Sequence, residues 1–93
     1  MNITIRFFAH LKDIVGIKNQ ISLQVEKGSN VLDLLNKLFT LYDIKNHIMR
    51  DNQTLKKWVT ILINGREIRF LLGLQTKIKE NDNISIFPPI VGG

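Results

Sequence analysis

Only one stretch of this chain repeats its apolar residues at helical spacing, and that limits the fold more than any other feature. From Val31 the apolar positions fall at Val31, Leu34, Leu35, Leu38 and Tyr42, steps of three and four that line one face of an amphipathic helix. Leu32, Phe39 and Leu41 widen the stripe, and the whole amounts to about three turns, the usual length in globular domains. Lys27-Gly28-Ser29-Asn30 stands before it as punctuation. Ser29 or Asn30 can accept a hydrogen bond from an orphan backbone N–H, and Asp33 suits the positive end of the helix dipole.

Elsewhere the period is two. Ile3, Ile5, Phe7 and Ala9 point one way and Thr4, Arg6, Phe8 and His10 the other, which predicts a first strand over 3–10. Leu11 to Lys18 reads as a connection containing Gly16, and Ile21 to Glu26 as a second strand with Ile21, Leu23 and Val25 on its apolar side. Asp43 to Lys57 is polar and loosely patterned, a loop with a short helical piece. Val59, Ile61 and Ile63 then face inward on a strand that ends at Asn64-Gly65, a strong hairpin signal because a type I′ turn needs positive φ at both central positions. Arg66 to Phe70 returns as a shorter strand. Glu80-Asn81-Asp82-Asn83 is a turn, and Ile84 to Phe87 is the last strand, stopped by Pro88-Pro89.

The order β-β-α-β-β-β predicts an α+β fold of the β-grasp (ubiquitin-like) kind, a mixed sheet with one main helix packed on one face. Residues 1–87 are expected to form that domain and residues 88–93 a flexible C-terminal tail ending in Gly-Gly. With 93 residues the chain is long enough for one modest core.

Composition removes whole classes of function. There is no cysteine, so a disulfide scaffold, a cysteine-ligated zinc site and a cysteine-held iron–sulfur cluster are excluded. Arg6 interrupts the apolar N-terminus, where a secretory signal would need a continuous run, and no segment has the length of a membrane span. A cytoplasmic protein that does not engage a membrane is expected. The net charge is +5, but the basic residues are scattered and no zinc-finger spacing or RNA-binding aromatic motif accompanies them. A solvated basic surface is the better reading, and no nucleic-acid partner is expected. His10 and His47 are the only histidines and lie in different segments, without visible metal-binding or catalytic companions. No metal site is expected. Trp58 reads as core or as cover for a loop, and no function attaches to it.

The most informative stretch is Phe87-Pro88-Pro89-Ile90-Val91-Gly92-Gly93. The two prolines cannot donate to a sheet ladder and disfavour a helix, so the chain must leave the sheet extended. Ile90 and Val91 are apolar residues with no remaining element to pack against. Gly92 and Gly93 have no side chains, which lets the last backbone atoms thread a narrow channel and approach another enzyme's catalytic atoms. At an average glycine usage of about 7%, two terminal glycines arise by chance in roughly 0.5% of chains. A terminal carboxylate is a poor electrophile until ATP converts it to an acyl-adenylate, which a sulfur or amine nucleophile can attack. The working atom is then the carbonyl carbon of Gly93, and no side chain of this protein need take part.

The strand Ile5-Arg6-Phe7-Phe8-Ala9, the leucine-rich helix, Ile63-Asn64-Gly65, and Asp82 leading to Ile86-Phe87-Pro88-Pro89-Ile90-Val91-Gly92-Gly93 together resemble the molybdopterin synthase small subunit family. The likeness is to its archaeal-type branch, which overlaps the small archaeal modifier proteins and resembles the eukaryotic ubiquitin-related modifier. It implies a non-catalytic carrier that binds no cofactor of its own. A ubiquitin-activating-type adenylating enzyme would use ATP to load sulfur at Gly93. The sulfur would pass to a pterin precursor held by the molybdopterin synthase large subunit. Alternatively, the carboxylate would join a target lysine. The family usually has glycine just before the aspartate, where this chain has Asn81; asparagine tolerates positive φ.

Strand parity adds a docking surface. Phe8 falls on the face opposite Ile5 and Phe7, Phe87 goes outward with Ser85, and Leu62 outward beside Thr60. If first and last strands are neighbours, Phe8 and Phe87 share one open patch at the base of the tail. Phe8, Leu62, Phe87, Pro88, Pro89, Ile90 and Val91 are the expected partner-binding residues. The rival arrangement has Asp43–Lys57 folding over that face and burying both rings. The rival function is a basic nucleic-acid-binding module, whose signature would be a salt-dependent shift with RNA or DNA.

Overall fold

The computed structural model describes residues 1–16 and 19–89. Strand β1 (Asn2–Phe7) pairs antiparallel with β2 (Gln20–Gln24), Ile3 facing Leu23 and Ile5 facing Ile21. The segment between them, expected as a plain connection, holds a short helix, α1 (Leu11–Val15). Five residues cannot sustain a helix alone. Here Leu11 is fully buried, and a ladder of turn bonds begins where its N–H donates to the Phe8 carbonyl at 3.2 Å.

The main helix, α2, spans Val31–Leu41. Asn30, rather than Ser29, caps it: its side chain accepts from the Asp33 N–H at 2.9 Å while the Asp33 carboxylate accepts from the Asn30 N–H at 3.0 Å. This reciprocal pair satisfies two otherwise orphaned donors. Val31, Leu34, Leu35 and Leu38 are buried against the sheet, whereas Leu41 is 55% exposed, because the chain turns out of the helix at Tyr42 before the stripe can close.

The polar stretch that follows is more structured than its composition suggests. It contains α3 (Lys45–Ile48) and a small hairpin, β3 (Met49–Asp51) with β4 (Thr54–Leu55). Gln53 donates its backbone N–H to the Asp51 carboxylate at 2.9 Å in the turn, which holds that carboxyl below its ordinary pKa. Ile44, Ile48 and Met49 join the common core, so this segment packs inward.

Strand β5 (Thr60–Ile63) and β6 (Arg66–Glu67) form the expected hairpin, with φ of 49° at Asn64 and 84° at Gly65. β6 is shorter than the predicted strand over 66–70. After two residues Ile68 turns into the core and the backbone winds into a 3₁₀ turn, Ile68–Phe70. The last strand, β7 (Asn83–Phe87), enters the middle of the sheet, parallel to β1 and antiparallel to β5. The strand order is β2-β1-β7-β5-β6. Ile5 lies beside Ile84, Phe7 beside Ile86, and Ile61 and Ile63 complete the row that faces α2. Burial of each such side chain contributes about 1.5–3 kcal/mol before entropy is subtracted. Among the described residues no helix is long and apolar enough to cross a membrane.

Candidate functional site

Parity along β1 and β7 decides what stands at the end of the central strand. Phe7 and Ile86 are directly paired and fully buried, so the next residues, Phe8 and Phe87, emerge together on the opposite face. The Phe8 N–H donates to the Ile86 carbonyl at 3.2 Å, which extends the parallel ladder by one step. The two rings then stack, centroids 4.2 Å apart and planes 12° from parallel. Both remain half-buried, and Ile44, Ile48 and Met49 of the 43–57 segment lie in the main core, so the rival arrangement is not the one adopted.

On the other side of β7, Phe87 faces Thr60 and Ser85 faces Leu62. Leu62 is half-buried on the same outer face. Trp58, Thr60, Leu62, Phe87 and Pro88 line a shallow groove of about 510 Å³. Pro88 is buried and Pro89 half-buried where the chain leaves the sheet. The structure thus brings Phe8, Leu62, Phe87 and Pro88 into one region at the tail root. Ile90, Val91, Gly92 and Gly93 lie outside the described residues.

The opposite end of β7, where the strand begins, is held by a side-chain network. Asp82, itself buried, accepts from the Asn64 side-chain amide at 2.9 Å and from the Lys79 N–H at 2.8 Å, while Asn83 N–H donates to Asn64 at 2.9 Å. The turn into β7 is therefore tied to the β5–β6 turn. Asn81, where the resemblance expects glycine, sits at φ 68°, a conformation asparagine tolerates.

Sequence reasoning missed Trp58. It is neither core nor loop cover: its ring is 69% exposed, and its backbone φ is 74°. A usable signal existed only in the Lys-Lys-Trp run just before an inward-facing strand, and the turn that presents the ring has no sequence signature. The histidines also differ from expectation. His10, which precedes α1, and His47 of α3 approach each other, ring centroids 5.1 Å apart. Among the described residues no group of three or more His, Cys, Asp or Glu side chains converges as a metal site would require.

A mixed five-stranded sheet carrying one principal helix, with its last strand in the centre and its chain end leaving beside an aromatic pair, defines a ubiquitin-like β-grasp protein. The chain belongs to the ThiS family, whose model matches residues 5–93. It is 36% identical over 94 residues to small archaeal modifier protein 3 of Haloferax volcanii, with 100% of each chain covered. It is 26% identical over 95 residues to the sulfur carrier protein CysO of Mycobacterium tuberculosis, again with 100% of each covered. Among solved structures, the Haloferax volcanii HVO 2177 protein in solution superposes with a TM-score of 0.86 at 35% identity, over 100% of this chain and 87% of that one. The two sequence relatives are by name a small modifier protein and a sulfur carrier protein.

Proposed function

We propose that this protein is a sulfur carrier that works through the carboxylate of Gly93, with Gly92 giving that terminus the width it needs. In a ubiquitin-activating-type enzyme the carboxylate attacks the α-phosphorus of ATP and pyrophosphate leaves. A hydrosulfide-level nucleophile then attacks the acyl carbon, AMP leaves, and Gly93 carries a thiocarboxylate. The chemistry is the partner's, and this chain contributes a side-chain-free end and a surface that positions it.

The observation that carries the reading is the tail root. The chain leaves the sheet's central strand at Pro88-Pro89, beside the Phe8–Phe87 stack and Leu62, and Ile90-Val91-Gly92-Gly93 follow in the sequence. Half-buried apolar residues grouped on one face, beside the exposed Trp58, suit docking, and they stand where a docked partner would receive the tail. Similarity to a sulfur carrier supports the sulfur role. The resemblance read from the sequence gives the destination: a pterin precursor on the molybdopterin synthase large subunit, for molybdenum cofactor synthesis. A second reading is conjugation of Gly93 to target lysines, favoured by the 36% identity to a small archaeal modifier protein. Both use the same acyl-adenylate.

The test is ATP–pyrophosphate exchange with the purified activating enzyme. The full chain should support exchange, and deletion of Gly93, or Gly92→Leu, should abolish it at unchanged thermal stability. Exchange by the truncated chain at the full rate would sink the proposal.

A further inference from the structure

Trp58 occupies the third position of a four-residue turn, Lys56 to Val59, closed by the Val59 N–H donating to the Lys56 carbonyl at 3.2 Å. Its φ of 74° is the value that the third position of a type II turn requires, and glycine is the residue that adopts it freely. A bulky side chain there is an outlier, and local strain of this kind points to a use for the side chain. No core burial offsets it, since the ring is 69% exposed.

The ring divides two grooves. On one side lies the apolar groove that it shares with Leu62, Phe87 and Pro88 at the tail root. On the other lies a groove of about 400 Å³ that includes Lys56, Lys57 and Arg69. No carboxylate lines either groove. Arg69 is already neutralised by Glu67, Nε to Oε1 at 2.6 Å. Lys56 and Lys57 form no ion pair among the described residues, and the Lys57 ammonium lies 5.2 Å from the Trp58 ring centre.

We propose that Trp58 and the Lys56–Lys57 pair extend the Phe8–Phe87 surface into a two-part docking site for the adenylating enzyme, taking an apolar-tipped, acid-flanked loop of that partner. The apolar tip enters the groove beside Phe87 while the flanking carboxylates meet Lys56 and Lys57. Charge complementarity fixes the chemistry of the occupant, because the rim is basic and unpaired. Continuity with the tail root fixes which partner it is, because a loop seated there holds the enzyme beside Pro88, five residues before Gly93 in the sequence. Trp58 is thus a specificity residue for activation, acting by docking and not by chemistry. The inference rests on the function proposed above.

Trp58 is the only tryptophan, so its emission reports the site directly. Titrating the full chain with the purified ubiquitin-activating-type enzyme of the same genome should shift and quench that emission, and added salt should weaken the response. In pyrophosphate exchange, Trp58→Gly should raise KM for this protein by about tenfold or more with kcat nearly unchanged. Its melting temperature should stay level or rise, since glycine suits the turn. Trp58→Phe should recover part of the loss, and Lys56→Glu with Lys57→Glu should raise KM and remove the salt effect. Emission that ignores the enzyme, or an unaltered KM in Trp58→Gly, overturns the proposal. So does emission that responds to a single-stranded oligonucleotide and not to the enzyme. Absence of exchange with the unaltered chain would instead defeat the function proposed above, while the emission titration still reads docking.

Discussion

Ala9, Trp58, Asn64 and Asn81 all hold positive φ, at 53°, 74°, 49° and 68°, and they divide by cost. Asparagine visits this region readily, and Asn64 uses it to close the β5–β6 hairpin while its amide reaches Asp82 at 2.9 Å. Alanine and tryptophan gain nothing of the kind, and each forgoes about 1–2 kcal/mol in the left-handed conformation. Glycine would relieve that but lose roughly 0.5–1 kcal/mol through its freer unfolded chain. Ala9→Gly and Trp58→Gly should therefore each leave stability level or raise it by up to about 1 kcal/mol, read as a higher urea midpoint at constant slope. A drop of more than that in Trp58→Gly would mean that the ring supports the fold. Asp82 is the opposite case. Its carboxylate takes two donors in a buried turn, so Asp82→Ala leaves the Asn64 amide and the Lys79 N–H unmatched. A loss of about 1–3 kcal/mol is expected by denaturant unfolding.

At the level of elements, legibility followed the length of the pattern. Strands β1, β5 and β7 and helix α2 were readable because each repeats an apolar residue often enough to define a period, and their inward sets, Ile3-Ile5-Phe7, Ile61-Ile63 and Ile84-Ile86, are the buried ones. The same parity placed Phe8 and Phe87 together on the outer face, where they stack. What escaped were pieces too short to carry a period. Helix α1 and strands β3 and β4 run to five residues at most, and single anchors such as Leu11 and Met49 hold them through contacts made far away in sequence, while α3 is the short helical piece expected within 43–57. Trp58 escaped for a related reason, since its exposure is a property of one turn. The helix start, by contrast, left only Ser29 or Asn30 open, and the reciprocal bonds with Asp33 select Asn30. Asn30→Ala should cost about 1 kcal/mol, with loss of amide protection confined first to the opening turn of α2. Equal stability of that variant would show that the cap is redundant.

Across the whole molecule the two faces of one sheet divide the labour. One face is closed by α2 and carries the folding energy. The other presents an aromatic stack and the groove that Trp58 borders, and the chain leaves the central strand there at Pro88-Pro89. Stacked rings couple by about 0.5–1.5 kcal/mol beyond their area, so a double-mutant cycle of Phe8→Ala and Phe87→Ala should return a coupling of that size. A coupling near zero would mean that the rings do not share one surface in solution. Under the function proposed above, fold and function sit on separate parts of the chain, residues up to Phe87 making the platform and Gly93 the bond. Intact mass of the protein after incubation with ATP, a sulfur donor and the purified activating enzyme tests that most directly. The account predicts a mass gain equal to the exchange of one oxygen for sulfur, located on Gly93 by fragmentation and absent when Gly93 is deleted. Sulfur found elsewhere on the chain, or a mass unchanged while the enzyme consumes ATP on a known carrier, would contradict it.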